Sequence, residues 1–154
     1  MYWGPDGTLL RQVNERCSAD YRRLMESGLC DELSPAGLLV EHEEQSLHLR
    51  ATDEGRHVLR PHRLPFVSYP YEWPFSALKQ AALTTLEIQR RAIQYGMTLK
   101  DASGYNIQWD GTTPVFIDTL SFTEYEPGTP WTAYGQFCQH FLAPLAVMSL
   151  TAVS

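Results

Sequence analysis

LKDASGYNIQWDGTTPVFID, residues 99–118, is the stretch whose reading decides the fold. Asp101 and Asn106 stand five positions apart, the turn pair Asp110-Gly111 follows, and Asp118 closes a second apolar run. IQW and PVFID suit short strands, and a glycine that tolerates positive φ joins them as a tight hairpin. An Asp, an Asn and a second Asp around one hairpin is an arrangement that phosphoryl-transfer enzymes use about magnesium. Asp101 would accept a proton from a hydroxyl nucleophile. Asn106 would offer the metal a neutral oxygen, and Asp118 the anionic oxygen that this hard cation prefers. Each residue also has an ordinary reading: Asp101 as a turn acid, Asn106 bonded to its own backbone, Asp118 capping the turn after it.

Upstream, Phe75, Leu78, Ala82, Thr85, Ile88, Ala92 and Tyr95 keep three-and-four spacing, which predicts one long helix over 75–95 with Pro74 at its start and Gly96 at its exit. FVSYPYEWP, residues 66–74, is an aromatic, proline-containing connector. Before it, QSLHLRATDEGRHVLRPHRLP alternates on both sides of Asp53-Glu54-Gly55 and predicts a hairpin. A strand after Pro5-Asp6-Gly7, a helix over ADYRRLMES capped by Ser18, a short helix from Asp31 and an extended LLVEHEE complete the first part. Downstream, a helix from Trp131 should bury Tyr134, Phe137, Phe141 and Leu142, with Pro144 kinking or ending it. The order implies an α+β chain of partial kinase-like type. Residues 1–73 would form an N-lobe-like region of strands and short helices, and 74–154 a partial C-lobe.

Composition limits the function classes. The 154 residues are 44% hydrophobic and 12% aromatic, enough for a core of single-domain size. A net charge of −6 argues against a nucleic-acid or anionic-membrane surface as main partner. Cys17, Cys30 and Cys138 have neither metal-ligand spacing nor an even count, so free thiols and a cytoplasmic setting are expected. FLAPLAVMSLTAV, residues 141–153, is shorter than the roughly 20 residues a bilayer requires; as an apolar end it suggests a fragment. The five histidines show no metal-site spacing, and no G-x-S-x-G surrounds a serine. A working phosphotransferase would also need a cation for the nucleotide phosphates. The two lysines, Lys79 and Lys100, lie on the long helix and beside Asp101, no glycine-rich phosphate loop is present, and Arg11 follows the first turn.

SYPYEWPF, LKDASGYNIQW, VFIDTLSF and QFCQHFLAPL, with YRRLMESGLCDEL and AGLLVEHEE, are long and unusual strings. Through them nearly the whole chain resembles the amino-terminal region of a bacterial family of class I S-adenosylmethionine-dependent methyltransferases, some of them called nodulation proteins. The resemblance implies a methyltransferase domain downstream as the partner of this region. S-adenosylmethionine would be bound there, since no D/E-x-G-x-G turn occurs in residues 1–154. In kinase-like folds generally, the positions of Asp101, Asn106 and Asp118 serve as base, metal ligand and metal ligand, and Mg-ATP would be the cofactor of a functional site. Leu99-Lys100 stands where such folds carry a His-Arg or His-Gly pair. Tyr71, Glu72 and Trp73, with Tyr69, fall at the junction of the lobes, where a planar ligand could stack or the rings could simply pack. Substrate recognition or regulation, small-molecule phosphotransfer, and non-catalytic binding of a small molecule are the functions that fit.

Overall fold

The computed structural model describes residues 1–151. In chain order the elements are β1 (Tyr2–Trp3), β2 (Leu9–Asn14), α1 (Glu15–Glu26), α2 (Leu29–Leu33), β3 (His42–Gln45), β4 (Gly55–Pro61), α3 (Phe75–Gln94), β5 (Met97–Leu99), β6 (Ile107–Asp110), β7 (Thr113–Phe116), β8 (Phe122–Glu124), α4 (Tyr134–Phe137) and α5 (Ala143–Leu150). The architecture is α+β, with antiparallel sheets of modest size. β1, β2, β4 and β3 lie side by side in one four-stranded sheet, while β5 pairs with β8 and β6 with β7.

Helix α3 organises the larger core. Its buried stripe holds Leu78, Ala82, Thr85, Ile88 and Ala92 as the spacing predicts, and adds Ala81 and Gln89. Phe75, at the start, is instead exposed. Around the stripe gather Leu24, Leu29, Leu33, Met97, Leu99, Ile107, Phe116, Phe122, Phe137 and Phe141. Gly96, at φ +69°, lets the chain reverse from helix into β5, a conformation that a Cβ would strain. Gln89 then ties helix to strand: its Nε2 donates to Thr98 Oγ1 at 2.9 Å and its Oε1 accepts from Leu99 N at 2.8 Å. A smaller cluster of Val13, Tyr21 and Leu59 seats α1 on the sheet.

Several local expectations shift. Helix α1 begins at Glu15, so Ser18 lies inside it, buried, with its hydroxyl 3.2 Å from His57 Nε2 instead of capping the end. The segment before Gly55 is no strand. Gln12 Oε1 accepts from Ala51 N and Thr52 N at 2.8 and 3.0 Å, so its side chain satisfies amides that a ladder would otherwise pair. The hairpin turn is Gly111-Thr112, one residue later than expected, with Gly111 at φ +59° as the first central residue of a two-residue loop.

The last helix does not end at Pro144. A π-helical turn, Cys138–Leu142, joins α4 to α5, and Pro144 sits in the first turn of α5. The widened turn shifts the hydrogen-bond ladder where proline has no N–H to donate. Phe137 and Phe141 are buried, whereas Tyr134 and Leu142 face solvent. Ala152 and Val153, at the end of the apolar run, lie outside the described residues. Pro61 ends β4, and the connector from there to α3 carries prolines at 65, 70 and 74. Its Pro70–Glu72 segment is a 3-10 turn closed by Glu72 Oε2 accepting from Tyr69 N at 2.8 Å.

Replacing Gln89 by Leu should keep the volume of the stripe while leaving Leu99 N–H and Thr98 without their partner. The expected loss is about 1–3 kcal/mol of stability, measured by urea unfolding.

Candidate functional site

The loop after β5 is fixed from several sides. Lys100 N donates to Ser121 O at 2.8 Å, Trp131 Nε1 donates to Leu99 O at 2.8 Å, and Ala102 N donates to Gln136 Oε1 at 2.7 Å. Lys100 Nζ reaches Asp20 Oδ2 on α1 at 2.5 Å. On this loop the half-buried Asp101 carboxylate accepts from Ser103 N at 2.9 Å, closing an Asx turn.

Asn106 and Asp118 meet through Ser121. The Asn106 Nδ2 donates to Ser121 Oγ at 3.2 Å, and that hydroxyl donates to Asp118 Oδ2 at 2.7 Å. Ser121 is thereby satisfied although only 1% exposed. Asp118 Oδ1 accepts from Leu120 N at 3.1 Å and pairs with the Arg11 guanidinium at 2.5 Å. Arg11 belongs to β2, so this ion pair links the four-stranded sheet to the end of the β6–β7 hairpin. Asp101 makes no hydrogen bond to Asn106 or Asp118. It is joined to them through the Lys100–Ser121 backbone contact.

The donor set suits a hard cation in kind, with an amide oxygen on Asn106 and a carboxylate on Asp118. Among the described residues, no three His, Cys, Asp or Glu gather into a metal-binding group. Any ion here would therefore rest on the Asn106–Asp118 pair, and Arg11 already supplies Asp118 with a positive partner.

Beside this cluster opens a cleft of about 460 Å³ between the sheet and the hairpin. Leu9, Leu59 and Val40 line it together with Ile117 and Gln108, and the chain around Leu64, Pro65 and Val67 adds to the lining. Arg11, His42, His62 and Arg63 line it, and no Asp or Glu does, in a chain with 18 acids against 12 Lys and Arg. The cleft is apolar with a cationic bias, which suits an anionic ligand carrying an apolar or planar part.

Tyr71, Glu72 and Trp73 lie outside this lining. Tyr71 is 75% exposed and stacks parallel on Tyr69 at 5.5 Å, and Glu72 closes its own turn. Trp73 is buried edge-on against Trp109, with its Nε1 donating to Ser68 Oγ at 2.8 Å. The cleft is edged instead by residues just upstream of them. Arg11, named in the sequence only as a cation after the first turn, pairs with Asp118; Ser121, which lacks a nucleophile motif, bridges Asn106 and Asp118; Arg63 is a lining residue that the sequence did not point to. The one signal in the sequence was Ser121 three residues after Asp118.

His42 sits at the start of β3 and faces both the cleft and α1. Its Nε2 lies 3.1 Å from Tyr21 Oη, while its buried Nδ1 has no hydrogen-bond partner. Burial lowers the His42 pKa and raises that of Tyr21.

No family model matches the chain. Over 129 residues, 84% of its length, it is 39% identical to the nodulation protein NoeA of Rhizobium meliloti (strain 1021). The match covers 26% of that protein, so the chain spans about a quarter of the length of the curated relative it matches. Among the described residues no helix is long and apolar enough to cross a membrane.

Because His42 is held neutral in the fold, the unfolded chain takes up a proton there at a higher pH than the native one does. Stability attributable to His42 is fully present above about pH 6.5, the ordinary histidine value, and declines as pH falls through it. Unfolding free energies of the wild type and of His42→Gln, compared from pH 8 down to pH 5, should show the steeper acid-side decline in the wild type.

Proposed function

We propose that this chain is a kinase-like ligand-binding domain of a longer, nodulation-type protein, and that it takes a nucleotide-like anion in the cleft beside Arg11. The carrying observation is the acid-free cleft abutting the Asn106–Ser121–Asp118 cluster. A planar, apolar group fits against Leu9, Leu59 and Ile117, and phosphates would lie toward Arg11. Arg11 supplies a permanent charge and a bidentate fork for phosphate oxygens, so the missing lysine of the phosphotransferase pattern has a functional replacement.

The order of parts supports the kinase-like reading. A sheet with one helix against it leads by a connector to a long helix, a loop carrying Asp101 and Asn106, a hairpin, and Asp118 at its exit. Magnesium, when bound at Asn106 and Asp118, would neutralise phosphate charge. With Asp118 so engaged, Arg11 would be free to turn towards the ligand. Methyl transfer and S-adenosylmethionine belong, in this reading, to a separate downstream domain, with which the present one would cooperate in recognising a small-molecule substrate.

A second reading, small-molecule phosphotransfer, rests on Asp101. One of its carboxylate oxygens is engaged by Ser103 N, and among the described residues the other takes no hydrogen bond. That oxygen can accept the proton of an attacking hydroxyl as the hydroxyl oxygen bonds to the γ-phosphorus of ATP, while the bond from that phosphorus to the β,γ-bridging oxygen breaks and ADP leaves.

Calorimetric titration with ATP, with and without magnesium, tests both readings. Binding should weaken about tenfold or more in Arg11→Met. Asp118→Asn should remove the magnesium dependence and leave the metal-free affinity near that of the wild type. Absence of ATP binding under either condition would count against the nucleotide site. Asp101→Asn should bind as the wild type does, and loss of phosphate transfer to a hydroxyl acceptor in that variant alone would separate catalysis from recognition.

A further inference from the structure

Trp3 is 62% exposed on the two-residue edge strand β1, an unusual place to leave an indole uncovered. Its position is fixed from behind. Trp3 pairs with Leu9, and the turn between β1 and β2 is closed by Gly4 N donating to Thr8 O at 2.8 Å and Gly7 N to Gly4 O at 3.0 Å. Both Trp3 and Leu9 line the cleft. Across its mouth, the Arg63 guanidinium carbon lies 5.9 Å from the Trp3 ring centroid. Among the described residues Arg63 has no carboxylate partner, so its planar cation is engaged by the indole face alone.

Leu9 and Arg11 stand two residues apart on β2 and both face the cleft. A strand advances about 3.3 Å per residue, so the indole end and the Arg11 end are separated by roughly 7 Å along the strand. That spacing matches a ligand whose ring is at the mouth and whose phosphates are at the back.

We propose that Trp3 and Arg63 form a clamp that selects for the planar base of a nucleotide, the guanidinium lifting off the indole so that the ring enters between the two while the phosphates reach Arg11. This deepens the nucleotide reading and rests on it. Both faces of a base can be covered this way, since guanidinium and indole planes each stack on heterocycles.

Two probes separate the ring from its phosphates: ATP, and inorganic tripolyphosphate, which has no ring. Trp3→Ala should weaken ATP binding about tenfold or more and leave tripolyphosphate binding unchanged. Trp3→Phe should restore most of the ATP affinity. Arg63→Lys, which keeps the charge and loses the plane, should weaken ATP several-fold and spare tripolyphosphate. ATP affinity equal to wild type in Trp3→Ala, or equal losses for the two probes, overturns the clamp while leaving the nucleotide site standing. Failure of the wild type to bind either probe removes the nucleotide reading and the clamp with it.

Discussion

The ion pair between Arg11 and Asp118 is the contact on which the functional arrangement depends. Arg11 comes from the four-stranded sheet and Asp118 from the exit of the β6–β7 hairpin, so one interaction bridges the two sides of the cleft. Both side chains are partly buried, which strengthens their attraction relative to a surface pair and raises the cost of leaving either alone. Asp118 meets that cost with two further donors, Ser121 Oγ and Leu120 N. An anion entering the cleft would compete for Arg11, and a cation would compete for Asp118. The same bond thus holds the structure together and presents the groups that a charged ligand would rearrange.

Around that bond, the loop carrying Asp101 is placed by contacts from four directions: α1 through Asp20, α3 through Gln89, β8 through its pairing with β5, and Gln136 from α4. None of these partners is near Asp101 in sequence. Gln89, Gln136 and β8 satisfy backbone groups that the reversal after Gly96 would otherwise leave unpaired, and Asp20 anchors the Lys100 side chain. The site is therefore an outcome of tertiary hydrogen bonding, built on a helix whose own burial is apolar.

How much of this was legible follows from the range of the forces involved. Helix α3 was readable because its stripe repeats over twenty residues, and the β6–β7 hairpin because Gly111 marks its turn. The pairing of Asn106 with Asp118 could be anticipated from hairpin closure, but the atom between them, Ser121, could not, since only the folded turn after Asp118 brings it there. Asp101 and Asp118 also perform the local roles that their ordinary reading assigns: each accepts a backbone N–H two residues on. Strand periodicity misread residues 46–52, where Gln12, some forty positions away, satisfies backbone amides from another strand. Arg11 stood out as a cation after the first turn, but its pairing with Asp118 did not, because nothing local distinguishes an arginine facing a distant aspartate from one facing water. The kinase-like label stays a matter of the order of parts and of resemblance.

The three prolines between β4 and α3, at 65, 70 and 74, have a kinetic meaning. Each fixes one backbone torsion in the only covalent link joining β4 to α3, so this splice is stiffer than a glycine- or serine-rich tether of equal length. Wide rocking of one half against the other is damped. Opening of the cleft then falls to the side chains at its rim, whose rotamers interchange far faster than sheets and helices shift as bodies.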